Sequence, residues 1–346
     1  MAIDRGASLP LMGGGSGARP PTIYDVAEVA GVSHQTVSRF LKGEGVRPRN
    51  REQVIHAIAE LGYRPNFAAR ALATSRSQRI AVLTQEMGEI GPGRILQGAT
   101  LEAREAGYLL DIMPLDVSDR SAIDEAIRQA NAQAIAGILA LVSTDEMIDA
   151  FDRTDFRVPA FIGAEEDDAR GEHPAQRNAR GMDLVVDHLA DLGHRRFFHI
   201  AGPRRWVAAR NRELAFEHAL AKVGLVSAGV AYGDWSAASG YDVASEIPRN
   251  LGITAVVAAN DQMALGAILA LSRRGLAVPQ DVSVTGFDDI PESAFITPPL
   301  TTVRLDFEEQ GRDAFRRLAS LIEDRPTSVA AMSAELVLRA STGPIR

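Results

Sequence analysis

At 346 residues, 46% of them hydrophobic, the chain can bury more than one core, and the absence of cysteine excludes disulfides and thiol chemistry. Its net charge is −8, so any attraction for a polyanion has to come from one part of it rather than from the whole. The longest apolar stretches, 135–142 and 255–259, are far too short to cross a bilayer, and no long apolar run marks an export signal near residue 1. The expected location is the cytoplasm, with no membrane partner.

Residues 1–20 are rich in Gly, Pro, Ser and Ala, lack apolar periodicity and read as a disordered extension. Thr22 then precedes an apolar-periodic run with Asp25 three residues on. This capping-box pattern starts a helix through Ile23, Val26, Ala27, Val29 and Ala30 that stops at Gly31. Ser33 can cap a second helix, with Val37, Phe40 and Leu41 on its buried side and His34, Gln35 and Arg39 projecting from it. A third helix follows Pro48, with Val54, Ile55, Ile58 and Leu61 on one face and Gly62 at its end.

Two short helices separated by Ala-Gly-Val-Ser have the spacing of a helix-turn-helix, whose second helix lies in the major groove. Between residues 20 and 76 there are eight basic and five acidic residues in an otherwise acidic chain. A basic head on an acidic body fits DNA bound at one end only; a solvated three-helix tip is the bland alternative.

Thr22-Ile-Tyr-Asp-Val-Ala-Glu-Val-Ala-Gly-Val-Ser-His-Gln-Thr-Val-Ser-Arg39, followed by Ala57-Ile-Ala-Glu-Leu-Gly-Tyr-Arg-Pro-Asn66 and Ala68-Ala-Arg-Ala-Leu72, resembles the head and hinge of the LacI/GalR family of bacterial regulators. The resemblance extends over nearly the whole chain after the first twenty residues. It implies that His34 and Gln35 read base edges in the major groove, with Arg39 one turn later. A long donor-bearing side chain there discriminates bases by about 1 to 3 kcal/mol per good pair. Tyr24, Ser33, Thr36 and Ser38 would touch phosphates, which position the head without specifying sequence. His34 stands where the family's prototype has tyrosine, so the operator is expected to be related rather than identical. The stretch from Arg64 to Ser77, including Asn66, would be a hinge helix that folds on operator DNA. Paired hinges from two subunits would open the minor groove, with Leu72 as the apolar wedge. Read alone, that stretch is an ordinary linker helix, too short to be stable by itself.

From Ile80 short apolar strands alternate with amphipathic helices. The expected strands are 80–84, 109–113, 135–142, 158–162, 197–201, 253–258 and 282–284. The expected helices are 94–106, 122–130, 181–192, 209–223, 237–249 and 261–274. Such alternation argues parallel, doubly wound sheets, which bind ligands beyond the carboxyl ends of their strands. The fold class is therefore α/β: a three-helix head at 21–64, a hinge at 65–77, and a body at 78–346. By resemblance the body is periplasmic-binding-protein-like, with two doubly wound parallel-sheet subdomains, about 78–176 with 305–333 and about 177–304 with 334–346. Thr301 to Asp306 should return toward the first half, and a helix 307–323 should pack on it.

Polar side chains just after strands suggest a cleft. Asn260 ends a strand, with Asp261 placed to cap the next helix, and Gly286-Phe-Asp-Asp289 follows another strand. Arg212 and Trp235 complete a set of the kind sugar sites use: amide and charged groups on hydroxyls, and an aromatic face for the pyranose C–H surface. Taken singly, each could be a cap, a core residue or an ion pair. The resemblance matches Arg212, Trp235, Asn260, Asp288 and Phe307 to effector positions and puts Gln85, Glu89 and Ile95 on the first half's sugar-lining loop. An aspartate expected after the fourth strand appears as Ala164, beside Glu165 and Glu166, so a galactoside is not assumed.

Enzyme chemistry finds little support. Asp288-Asp289 and Glu165-Glu166 are weighed as solvated loop carboxylates, and no phosphate-cradling loop, nucleophile elbow or metal-ligand spacing occurs. The reading is a regulator without cofactor or metal: a dimer on a palindromic operator, repressing a carbohydrate-utilisation operon and released when a small sugar enters the cleft. A corepressor-dependent regulator taking a nucleoside, purine or phosphorylated effector is the alternative, and a sugar-active enzyme a weaker one. No apolar period of 3.5 follows Leu338, so a dimer rather than a dimer of dimers is expected.

Overall fold

The computed structural model describes residues 21–41, 45–63, 77–84, 90–115, 120–141, 144–163, 176–326 and 333–345. The N-terminal extension, the hinge with Asn66 and Leu72, the loop with Gln85 and Glu89, and the segment with Ala164, Glu165 and Glu166 lie outside the described residues. The chain divides into two compact units, Met1–Ser77 and Gln78–Arg346.

In the head, α1 (Ile23–Ala30), α2 (His34–Leu41) and α3 (Pro48–Leu61) close one small core around Val26, Ala27, Ala30, Val37, Val54 and Ala57. The Thr22–Asp25 capping box is formed, and Gly31 ends α1 with φ 63°, a conformation glycine adopts without steric cost. Ser33 Oγ accepts from Thr36 N at 3.2 Å, which starts α2. The inward face of α3 is Val54, Ala57 and Ile58 rather than one including Ile55, which is half exposed because it lies next to Val54 around the helix turn.

The body carries two parallel four-stranded sheets of identical winding. The first has the order β2-β1-β3-β4, from β1 (Arg79–Thr84), β2 (Leu109–Pro114), β3 (Gly137–Leu141) and β4 (Ala160–Ile162). The second has the order β6-β5-β7-β8, from β5 (Phe197–Ala201), β6 (Gly229–Tyr232), β7 (Ala255–Ala258) and β8 (Ser283–Thr285). Every residue of β3, β5 and β7 is buried, as befits strands covered on both faces by helices. The connecting helices are α4 (Ile90–Glu105), α5 (Arg120–Ala132), α6 (Asp145–Asp152), α7 (Gln176–Asp191), α8 (Val207–Lys222), α9 (Ala237–Glu246) and α10 (Asp261–Arg273). Sequence periodicity misses α6 and β6. The half-buried β6 has only four residues and is defined by its pairing with β5.

Beyond β8 the chain forms β9 (Thr302–Leu305), which pairs antiparallel with β10 (Ala334–Val337). Between them α11 (Phe307–Glu323) packs on α4, β3 and β4 of the first sheet. Gly98 of α4 and Gly311 of α11 let the two backbones meet, since a Cβ at either would overlap the other helix's carbonyl. The final residues return to the second sheet, where Val284 N donates to Ser341 O at 2.9 Å.

Candidate effector site and DNA-reading helix

In the head, Gln35 and Arg39 are exposed on α2, and Tyr24 is 65% exposed on α1. The Tyr24 and His34 rings lie 5.3 Å apart and tilted, so the two side chains form one surface. Arg39 Nη2 donates to Gly45 O at 3.0 Å, which ties α2 to the segment entering α3. Ser33 and Thr36 share a 3.0 Å hydrogen bond between their hydroxyls while Ser33 caps the helix, and Ser38 is half-buried. A phosphate would therefore compete with the cap for Ser33 and Thr36 but not for Gln35.

In the body, the carboxyl ends of β5 to β8 gather the second-half residues. Arg212, one face of α8, is nearly fully buried and donates from Nη1 to Ala259 O at 2.5 Å and from Nη2 to Asp288 Oδ1 at 2.8 Å. Its guanidinium lies 4.3 Å from the Phe287 ring centroid and 5.7 Å from that of Trp235. The buried charge is thus compensated by a carboxylate and covered by two aromatic faces. Trp235 adopts φ 75°, and Gly202 makes room for its ring, because a Cβ there would overlap the indole.

Asn260, not Asp261, caps α10. Its Oδ1 accepts from Met263 N at 2.9 Å, and its Nδ2 donates to Trp235 O at 2.8 Å, so the amide fixes the Trp235 backbone. Asp261 is instead a buried junction. Its oxygens accept from Thr302 Oγ1 at 2.5 Å, Ser293 Oγ at 2.7 Å and Ile290 N at 2.8 Å, joining α10 to β9. Burial pushes its carboxyl up to about 7, with Asp288 adding to the rise and the hydrogen bonds opposing it. The reason for the exchange of roles is tertiary: both side chains can cap, but only Asp261 meets the hydroxyls of Thr302 and Ser293.

Asp288 and Asp289 both have positive φ, 108° and 53°, and the backbone splays them apart. Asp288 faces Arg212, whereas Asp289 accepts from Arg304 Nε of β9 at 2.7 Å and from Arg339 Nη2, just past β10, at 2.6 Å. Burial alone would raise the Asp289 carboxyl, but the two guanidinium groups hold it below the usual range. Phe307 begins α11 and is buried among Phe287, Val303 and Phe216, with Ile95 of α4 packed on the same cluster. The site residues within the described chain therefore form one neighbourhood, from Ile95 and Phe307 through Phe287 to Arg212, Asp288, Trp235 and Asn260. The buried His199, beneath it in β5, stays neutral near pH 7 because burial lowers its value to about 4.

Sequence reasoning passes over Trp206. It is one of only two tryptophans in the chain, and its ring meets that of Trp235 edge to face at 6.0 Å. The rarity of tryptophan in the chain was the available signal, but nothing in the spacing places the two indoles together. Among the described residues, the buried Trp206 Nε1, Trp235 Nε1, Arg212 Nε and Thr144 Oγ1 have no hydrogen-bond partner. Charge is balanced here while hydrogen-bonding capacity is left over, which suits a neutral polar ligand. No group of three or more His, Cys, Asp or Glu able to hold a metal occurs among the described residues, nor any helix long and apolar enough to cross a membrane.

Residues 22–66 match the family described as bacterial regulatory proteins, lacI family, and residues 186–342 match the periplasmic binding protein-like domain. The chain is similar to the lactose operon repressor of Escherichia coli (strain K12), 36% identical over 307 residues that cover 88% of this chain and 85% of that protein. Its fold is similar to the structure of the Lac repressor dimer bound to operator and the anti-inducer ONPF, with TM-score 0.73 and 32% identity over 94% of this chain and 100% of that one. It is also similar to the complex of the transcriptional regulator CelR with cellobiose, with TM-score 0.66 and 29% identity over 93% of this chain and 99% of that one.

Proposed function

The chain belongs to the lacI family of bacterial regulatory proteins, and from that membership we propose that it is a homodimeric repressor of a carbohydrate-utilisation operon, released from a palindromic operator by a small neutral sugar. DNA-binding transcriptional regulation is the activity of the family, and its members are regulators rather than enzymes. The protein acts in the cytoplasm, where its operator is, and takes an effector rather than a cofactor.

The observation that carries the choice of effector is the Arg212–Asp288 pair at 2.8 Å, set beside two indole N–H groups without partners among the described residues. A phosphorylated effector calls for uncompensated positive charge, and here the cation is already matched. A sugar needs donors for its oxygens and an apolar face for its C–H surface, and both are present. The similar regulator CelR, solved with cellobiose, supports this choice. Effector binding biases the relation of the two sheets, and operator affinity changes by the coupling free energy, typically 1–3 kcal/mol. His34, Gln35 and Arg39 read base edges, Tyr24, Ser33, Thr36 and Ser38 touch phosphates, and Leu72 with Asn66 serves the hinge.

Fluorescence anisotropy of the full chain on its own upstream DNA at fixed salt, titrated with mono- and disaccharides, tests this. Release by one sugar is expected. Tightening by a nucleobase or by a phosphorylated compound, with no response to sugars, replaces the reading with a corepressor.

A further inference from the structure

We propose that segment 341–345 is a proton-sensitive strap, which His188 and His194 hold on the second sheet while they are neutral and release when they take up protons. The inference stands apart from the choice of effector. After β10 the chain returns to β8, where Ser341 Oγ donates to Val284 O at 2.6 Å and accepts from Thr301 N at 2.8 Å. Gly343 N donates to Ser283 Oγ at 3.1 Å, and Ile345 N donates to Leu192 O at 3.2 Å. Thr301 immediately precedes β9, so the strap anchors the start of that crossover between the halves. Two imidazoles close the strap, one on α7 and one in the turn after it. His188 Nε2 lies 3.0 Å from Thr342 Oγ1, and His194 Nε2 lies 3.0 Å from Gly343 O.

Hydrogen-bond geometry sets the protonation state in which the strap stays closed. A carbonyl only accepts, so His194 carries its proton on Nε2 and leaves Nδ1 bare. His194 is 2% exposed, and this Nδ1 has no hydrogen-bond partner among the described residues. A second proton would put a charged N–H there with nothing to receive it. Burial lowers His194 below its ordinary value; the bond to Gly343 O opposes this, while His188 and Arg195 add to it. Burial also lowers His188, against the pull of Asp191 on the same helix. Facing them, Asp281 ahead of β8 accepts from Ala277 N at 2.7 Å, and Arg195 donates to Ala190 O and His194 O. An imidazole freed into water regains its ordinary affinity for protons. A group lowered on folding contributes its stability in full above its unfolded value and loses it as pH falls. The strap is therefore held above about pH 6.5, and below it opening becomes easier by up to about tenfold per pH unit for each proton taken up. Acid thus frees Thr301 N, and the crossover loses an anchor while the sheet cores stay intact.

The test is hydrogen exchange of the full chain, read by mass spectrometry from about pH 7.5 down to about pH 5 and normalised to the intrinsic rate at each pH. Peptides covering 339–345, 298–305 and 197–201 report the strap, the crossover and the β5 core. The expected result is that normalised exchange of the strap rises about tenfold or more, the crossover follows, and β5 stays protected. In the double variant His188→Gln with His194→Gln, whose amides can donate to the same oxygens and do not titrate, the rise should vanish. Wild-type protection that ignores pH, or an equal rise in the double variant, overturns the inference. Loss of β5 protection in step with the strap makes the event global unfolding and overturns it too, and a strap that opens while 298–305 stays protected removes its role as an anchor. Should the double variant not fold, His188→Gln, at a half-buried position, decides: its pH slope should fall to that of one proton, and an unchanged slope overturns the inference.

Discussion

Arg212 and Asp288 stand 76 positions apart and meet as a buried pair. Removing one member leaves the other charged and without its partner, a change that typically costs about 3–5 kcal/mol. Asp288→Ala should therefore lower the urea midpoint and abolish the response to effector. Replacing both residues with leucine should recover much of the stability while the response stays lost; recovery of the response by the double variant would remove the pair from the site. Gln35 behaves differently because it is exposed and carries no packing. Gln35→Ala should leave the melting temperature unchanged and cost about 1–3 kcal/mol of discrimination between operator and scrambled DNA in competition anisotropy. Equal loss on both DNAs would make it a phosphate contact.

At the scale of elements, Asp261 holds α10, the turn containing Ser293 and strand β9 together. Its carboxyl is raised from 3.8 to about 7, principally by burial. A carboxylate raised on folding contributes its stability in full below its unfolded value and loses it as pH rises through the folded one. The stability difference between wild type and Asp261→Asn should thus be most favourable to wild type near pH 4 and decline toward pH 7, by a few kcal/mol in order of magnitude. Urea unfolding across that window measures it, and a difference that grows with pH would contradict the protonated, buried carboxyl. Using the difference between two proteins also cancels the buried His199, whose lowered value slopes the other way.

The whole molecule joins a basic head to an acidic body, so DNA binding draws on local rather than net charge. Operator affinity should fall steeply with salt, by close to one logarithmic unit per decade of salt for each phosphate contact. Sedimentation of the operator complex should show two chains on one palindrome, and the slope should reflect both heads. A shallow slope with one chain bound would argue against a symmetric dimer. Within the body, the Thr144–Trp206 bridge and the Arg210–Asp145 pair connect the halves at the helix starts, while β9, β10 and α11 connect them at the strand crossings.

The sequence by itself determined what depends on neighbours a few residues apart. The Thr22–Asp25 box, the Gly31 stop and the Ser33 cap each span no more than a few positions, so the head and its reading helix were legible, and fully buried strands such as 197–201 announced themselves as apolar runs. Arg212, Trp235 and Asp288 could be singled out from their positions after strands and from the family pattern, but not their mutual contacts. Tertiary structure alone decided that Asn260 caps α10 while Asp261 turns to Thr302, that Asp288 and Asp289 point to different partners, that a four-residue segment becomes β6, and that Trp206 meets Trp235. In each case the local chemistry permits more than one outcome. The choice falls to a hydrogen bond, a charge or a ring supplied from a distant part of the chain.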